Sequence, residues 1–292
     1  MIQYMQRRFA LSHKGAVGAI KGILFCALQN VSFMLPVGLL YTLVCDLMNN
    51  TLTTSRIPFY VIGCIAAAAV ILICTRLQYD GTFLTTYVET GVRRVHLAEK
   101  LRRIPLSFFG KKDLADLTSS IMNDCAVLEQ SQSHFVGPLF GALISTTVIA
   151  VSLLFFNWRM ALAAIWPLPV AFAIVALASD VQKRLSRKSM AAKIACEDGI
   201  QECMEAMPDL RANNAEKRYL SSLEAKIRAL ESRLVKSELG TAIFVVSASL
   251  VLRLGIATTA LVGAALLVQG QLDALTFFMF LLVVYRLYDP LE

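Results

Sequence analysis

The chain has 292 residues, 57% of them hydrophobic and 17% charged, and its mean hydropathy of +0.61 lies outside the range of soluble globular domains. Its formal charge of +7 comes without a basic stripe interleaved with stacking aromatics, which excludes nucleic acid as a partner. In a polytopic membrane protein such an excess belongs to cytoplasmic loops under the positive-inside bias.

Residues 1–21 carry Arg7, Arg8, Lys14 and Lys21 around a short apolar patch. A signal peptide would have a short apolar core and a small-residue cleavage site. The run that follows, 22–45, is instead long enough to span, about 20 residues being needed. Residues 1–21 therefore read as a cytoplasmic lead-in, an elbow helix on the membrane surface, and 22–45 as the first span with Pro36 as a kink inside it. After a polar turn at 46–56 comes the second span, 57–78. No Gly or Pro cluster stops this helix between Arg76 and Pro105, so it should extend about 45 Å further at 1.5 Å per residue. Seven Lys or Arg residues between Arg93 and Lys112 place that end in the cytoplasm.

The third and fourth spans, 135–156 and 160–178, are joined by Asn157, Trp158 and Arg159 in an outer turn, with Trp158 suited to the headgroup level. Lys183, Arg184, Arg187, Lys188 and Lys193 bring the chain back inside, where the pattern stays helical to Met207 and Pro208 is expected to break it. Leu223, Ile227, Leu230 and Leu234 then recur on one helical face and lead into the fifth span, 239–268. Residues 269–273 turn outside, and 274–292 begin the sixth span. Two cytoplasmic helical extensions, 79–134 and 179–238, exceed any ordinary connection and should form stalks.

No C-x-x-C pair occurs among the seven cysteines, and the three histidines are scattered, so the sequence points to no metal or redox centre. Cys196 and Cys203 are seven residues apart and would share a helix face by packing. Neither a nucleophile with a base nor paired catalytic carboxylates are evident, so no catalytic residue is assigned and a membrane enzyme is the least favoured reading.

The segment LRRIPLSFFGKKDLADLTSSIMNDCAVLE (Leu101 to Glu129), with its paired Phe108 and Phe109 and its Asn123-Asp124, resembles the first intracellular loop of ATP-binding cassette (ABC) exporters. NWRMALAAIWPLPV, MPDLRANNAEKRYL and QGQLDALTFFMFLLVVYRLYDPLE resemble, in the right order, the start of helix 4, the second coupling region and the lead into helix 6. The resemblance covers nearly the whole chain. It implies an all-α membrane protein of six transmembrane helices extended into the cytoplasm, a domain-swapped dimer with a second half of the same or a related chain. It further implies multi-pass insertion in the plasma or inner membrane with a cytoplasmic N-terminus. Alternating access would be driven through Asp113, Asp116, Ser120, Asn123 and Asp124 of the first loop, and Arg211, Asn214 and Glu216 of the second. Arg211-Ala212-Asn213-Asn214 departs from the Lys and aromatic that the family often carries before its Glu, which leaves Glu216 as the close match.

The nucleotide-binding domain of that family is not found in the sequence. There is no G-x-x-x-x-G-K-S/T phosphate loop, and Gly110-Lys111-Lys112 lacks both the leading Gly and the hydroxyl for Mg²⁺. The expectation is a fragment of a half-transporter that holds no cofactor itself, with ATP and Mg²⁺ belonging to the nucleotide-binding domain.

Ionisable residues inside spans mark cavities or pathways. Here they are Arg76 and Asp80, four apart, Arg286 and Asp289, three apart, and Arg253, which has no acid three or four positions away. Each close pair could neutralise itself on its own helix. Alternatively the three arginines, with Gln78, Tyr285 and Tyr288, line a vestibule for a small-molecule or peptide substrate of anionic character. Membrane lipids and the nucleotide-binding domain complete the expected partners. An importer built on the exporter fold, with siderophore-like cargo, and an ATPase-independent channel or scaffold are the alternatives.

Overall fold

The computed structural model describes residues 2–9, 11–49, 51, 53–109, 118 and 120–291. Among them are helices and turns and no strand. Six helical stretches are long and apolar enough to cross a membrane: His13–Met48, Thr54–Arg102, Ile121–Phe156, Trp158–Ala212, Glu216–Val268 and Ala274–Leu291. Many of their large apolar side chains, such as Ile62, Leu72 and Leu177, are exposed, a distribution suited to lipid and not to water. The chain forms two compact units, Met1–Leu162 with Thr259–Glu292, and Ala163–Thr258.

In the first unit, the short helix α1 (Ile2–Phe9) buries Met5 against Ala16 and Ile23 of α2 (His13–Ser32). The first apolar run is interrupted at Phe33 and Met34, and α3 (Leu35–Met48) restarts with Pro36 in its first turn. There the missing N–H is no loss, so the bend precedes the proline. Ser32 Oγ donates to the Gln29 carbonyl at 2.7 Å where the helix ends. In the polar turn beyond, Asp46 accepts from the Tyr60 hydroxyl at 2.6 Å and from Arg56 at 2.7 Å, tying α3 to α4 (Ile57–Tyr79).

From α4 the helix continues through a π-helical turn, Asp80–Leu84, into α5 (Thr85–Arg102). Threonine hydroxyls reach back to carbonyls around that turn: Thr82 Oγ1 donates to Gln78 at 2.7 Å and Thr85 Oγ1 to Asp80 at 3.1 Å. The short α6 (Leu106–Phe109) follows the expected stop at Pro105. The reversal expected near Gly110 lies outside the described residues. A second π-helical turn, Ser120–Asp124, leads through α7 (Cys125–Gln130) and a third, Ser131–Val136, into α8 (Gly137–Phe156).

Helix α2 packs on both α4 and α8 at close range. A Cβ on Gly22 would stand 2.7 Å from the Gly81 carbonyl oxygen, and one on Gly141 would overlap Cys26 Cβ. After α8 the turn is shorter than expected: only Asn157 leaves the helix. Its Oδ1 accepts from the amides of Arg159 (3.1 Å) and Met160 (3.3 Å), capping α9 (Trp158–Ile165). Also in this unit, α12 (Ala274–Tyr288) follows a turn in which Gly270 takes φ +68°.

The second unit contains α10 (Pro167–Ala212) and most of α11 (Glu216–Val268). A bend at Trp166, ahead of Pro167, separates α9 from α10 within the run 160–178. The indole Nε1 donates to Thr258 Oγ1 at 3.0 Å there. The break expected at Pro208 does not occur, because α10 runs through it to Ala212. The proline removes one hydrogen bond, that to the Met204 carbonyl, and Met204 is 73% exposed, so solvent can satisfy the freed group. The stop comes at Asn214, whose φ of 50° is left-handed. The amide of Asn214 donates to Arg211 O at 3.3 Å and that of Ala215 to Leu210 O at 3.0 Å, closing the helix end. Cys196 and Cys203 are both buried on α10. On α11, Leu223 and Leu230 are half-buried while Ile227 and Leu234 are exposed.

Candidate functional site

The break in the first span sets the geometry of a polar cleft inside the apolar region. Asn30, Phe33, Met34, Ile149, Arg286, Asp289 and Pro290 line an open space of about 210 Å³. Arg286 pairs with Asp289 one turn on, and its guanidinium lies 4.7 Å from the centre of the Phe33 ring, where the ring quadrupole favours a cation. Asn30 Nδ2 donates to Ser145 Oγ at 3.2 Å, and Ser145 Oγ in turn donates to Ala142 O at 3.0 Å. Thr146, one residue further along α8, is buried with no hydrogen-bond partner for its hydroxyl. Of the two tyrosines on α12, Tyr288 is buried and Tyr285 is 63% exposed. The arrangement can hold a polar or charged group against an arginine whose charge is already balanced by a carboxylate and an aromatic face.

Arg76 and Asp80 close an ion pair at 3.5 Å across the junction of α4 with its π-helical turn. Gln78 Nε2 donates to Thr82 Oγ1 at 3.0 Å, and nearby Gln29 Nε2 donates to Thr75 Oγ1 at 3.2 Å. Arg76 and Arg286 are therefore each engaged with a different acid. Arg253 is an exposed residue of the second unit.

Of the residues expected to meet an ATPase, those described lie at ends of long helices. Asp113 and Asp116, and the side chain of Ser120, lie outside the described residues. Asn123 and Asp124 are exposed on the second π-helical turn. Asp124 also borders an open groove of about 810 Å³, which His96 and Lys100 of α5 and Arg103 just after it also line. In the second unit the reversal between α10 and α11 brings Arg211 Nε and Glu216 Oε1 to 3.6 Å, with Asn214 at its tip. Beside this turn the hydroxyl of Tyr219 is pushed up to about 12 by desolvation and by its hydrogen bond to the Glu202 carboxylate.

Two features were missed from sequence. The polar pair Gln29-Asn30 within the first apolar run was a legible signal. The other is a clasp between α5 and the start of α2: Glu89, 8% exposed, accepts from Ser12 N at 2.6 Å and Ser12 Oγ at 2.8 Å. One turn on, Arg93 donates to Phe9 O at 3.3 Å, and Gln132 donates to the same oxygen at 3.3 Å. Nothing in the local pattern around Glu89 announces this. Among the described residues no group of three or more His, Cys, Asp or Glu is placed to hold a metal ion.

Six apolar helices, several continuing well beyond hydrocarbon length, with a polar cleft where the first is broken, define a polytopic all-helical protein integral to a membrane. Residues 21–289 match the ABC transporter transmembrane region, and the chain belongs to that family. Membership makes the bilayer and a nucleotide-binding domain its partners in general terms.

Proposed function

We propose that this chain is the substrate-translocating half of an ATP-driven exporter, working with a second transmembrane half, identical or related, by alternating access. The family match over 21–289 carries this reading. Two places support it: Asn123 and Asp124 are exposed on the second π-helical turn, and Arg211, Asn214 and Glu216 are exposed or half-buried at the reversal between α10 and α11, where an ATPase can seat. Closure of two nucleotide-binding domains on ATP and Mg²⁺ would push on these turns, and the long helices would convey the motion to the spans. The N-terminus and both reversals face the cytoplasm in this reading, because the Lys and Arg residues gather there. Cargo enters beside Arg286 and Asn30, where an acidic group would exchange with the Asp289 carboxylate that pairs with Arg286.

The test is transport and ATP hydrolysis by the full-length protein in vesicles together with its ATPase. Asn123→Ala with Asp124→Ala, or Arg211→Ala with Glu216→Ala, should lower transport at least tenfold while basal hydrolysis persists. Arg286→Ala should selectively weaken acidic cargo. Coupling unchanged in every variant would overturn the assignment of the turns, and unchanged affinity for acidic substrates would overturn that of the cleft.

A further inference from the structure

The exposed face of α2 shows where the bilayer surface meets the protein. Leu24, Leu28 and Val31 are exposed along one side of α2, at the spacing of a single helical stripe. Toward the N-terminus the same stripe passes through Lys21, Val17 and Lys14, with both lysines exposed. Lys14 and Lys21 are seven residues apart, so their side chains leave the helix on one face about 10 Å apart. Such a sequence, leucines first and lysines at the end, is that of a helix leaving hydrocarbon for the headgroup layer.

Along the chain the charge ahead of the first span is one-sided. Arg7, Arg8, Lys14 and Lys21 precede the first acidic residue of the chain, Asp46, and Asp46 sits at the other end of the span, bound to Arg56 and Tyr60. Glu89 contacts this segment but is buried with both oxygens on Ser12. Arg7 is exposed on α1, whose apolar face is held to α2 through Met5, Ala16 and Ile23. Arg93 and Gln132 grip the Phe9 carbonyl between the two helices. The helix that carries Lys14 and Lys21 is therefore braced, and little backbone ordering remains to oppose binding.

We propose that Lys14 and Lys21 seat the phosphate of an anionic phospholipid in the leaflet nearest the N-terminus, with its acyl chains along Leu24, Leu28 and Val31. Continuity of the cations with a lipid-facing apolar stripe commits the site to a lipid over a soluble anion. A juxtamembrane Lys or Arg contributes about 1 kcal/mol toward an anionic lipid surface, about fivefold in affinity. Removing both lysines should then weaken binding roughly 25-fold. This inference needs only membrane insertion and stands apart from the transport reading.

The experiment measures retention of phosphatidylglycerol, phosphatidylcholine or inorganic phosphate by the full chain in neutral detergent, using native mass spectrometry and titration. Phosphatidylglycerol should bind at least tenfold tighter than phosphatidylcholine, and inorganic phosphate should not compete. Lys14→Gln with Lys21→Gln should lose roughly 25-fold, the two Lys→Arg changes should retain binding, and Lys193→Gln with Lys236→Gln, two cations of the second unit, should change nothing. If the glutamine variant fails to fold, raising NaCl on the unaltered chain gives the same answer: phosphatidylglycerol binding should weaken severalfold and phosphatidylcholine binding should not. Equal binding of the two lipids, competition by inorganic phosphate, equal loss in the Lys193/Lys236 variant, or salt-insensitive phosphatidylglycerol binding would each overturn the proposal.

Discussion

Glu89 is the sharpest place to perturb the first unit, because one buried carboxylate holds both the amide and the hydroxyl of Ser12 and also dictates what residue 15 can be. Hydrogen bonds to a charged group contribute about 1.5–3 kcal/mol. Ser12 is itself exposed, so water recovers part of the loss, and Glu89→Ala should cost about 2 kcal/mol. Glu89→Gln retains one acceptor and should cost about 1 kcal/mol. A Cβ on Gly15 would stand 2.5 Å from the carboxylate, so Gly15→Ala should also destabilise, by about 1–3 kcal/mol through overpacking. With Glu89→Ala already present that obstruction is gone, and the second change should cost almost nothing. Thermal unfolding of the purified full chain in one detergent reads all four corners of the cycle, at a scale of about 2–4 °C per kcal/mol. Strictly additive shifts, within about 0.5 kcal/mol, would refute the clasp, as would a Glu89→Ala midpoint equal to that of the parent.

Two further perturbations test the close packing and the second reversal. Gly141→Ala should lower the unfolding midpoint by several degrees, since its Cβ overlaps Cys26 Cβ, an overpacking cost of about 1–3 kcal/mol; adding Cys26→Gly should recover much of it in the same melt. Asn214→Gly should be neutral or slightly stabilising, whereas Asn214→Ala should cost about 1 kcal/mol, because a φ of 50° suits glycine and strains alanine. Protease nicking near residue 214 offers a second readout of that difference.

The apolar runs and the helical arms were legible because each is decided by composition within one window: 23 residues of α4 need no distant partner to be read as a span. Local ion pairs were legible for the same reason, and Arg76–Asp80 and Arg286–Asp289 close at the four- and three-residue spacings seen in the sequence. Pro208 misled because a proline's effect depends on whether its orphaned carbonyl meets water or a buried wall, which is a property of the fold and not of the dipeptide. The contacts that shape the cleft and the clasp lie further off still. Glu89 meets Ser12 across 77 positions and Asn30 meets Ser145 across 115. No periodicity encodes such pairings.

Counting rise per residue places Arg286 at a depth, but only the break at Phe33 supplies the ring against which its charge rests. That contact alters the chemistry of the cleft. An arginine partnered by Asp289 and Phe33 presents a shielded charge, so an acidic cargo must compete with a carboxylate that is already in place. Selectivity in the cleft would then come from Asn30 as much as from charge, since a polar group left unmatched penalises the wrong ligand more than a balanced ion pair rewards the right one.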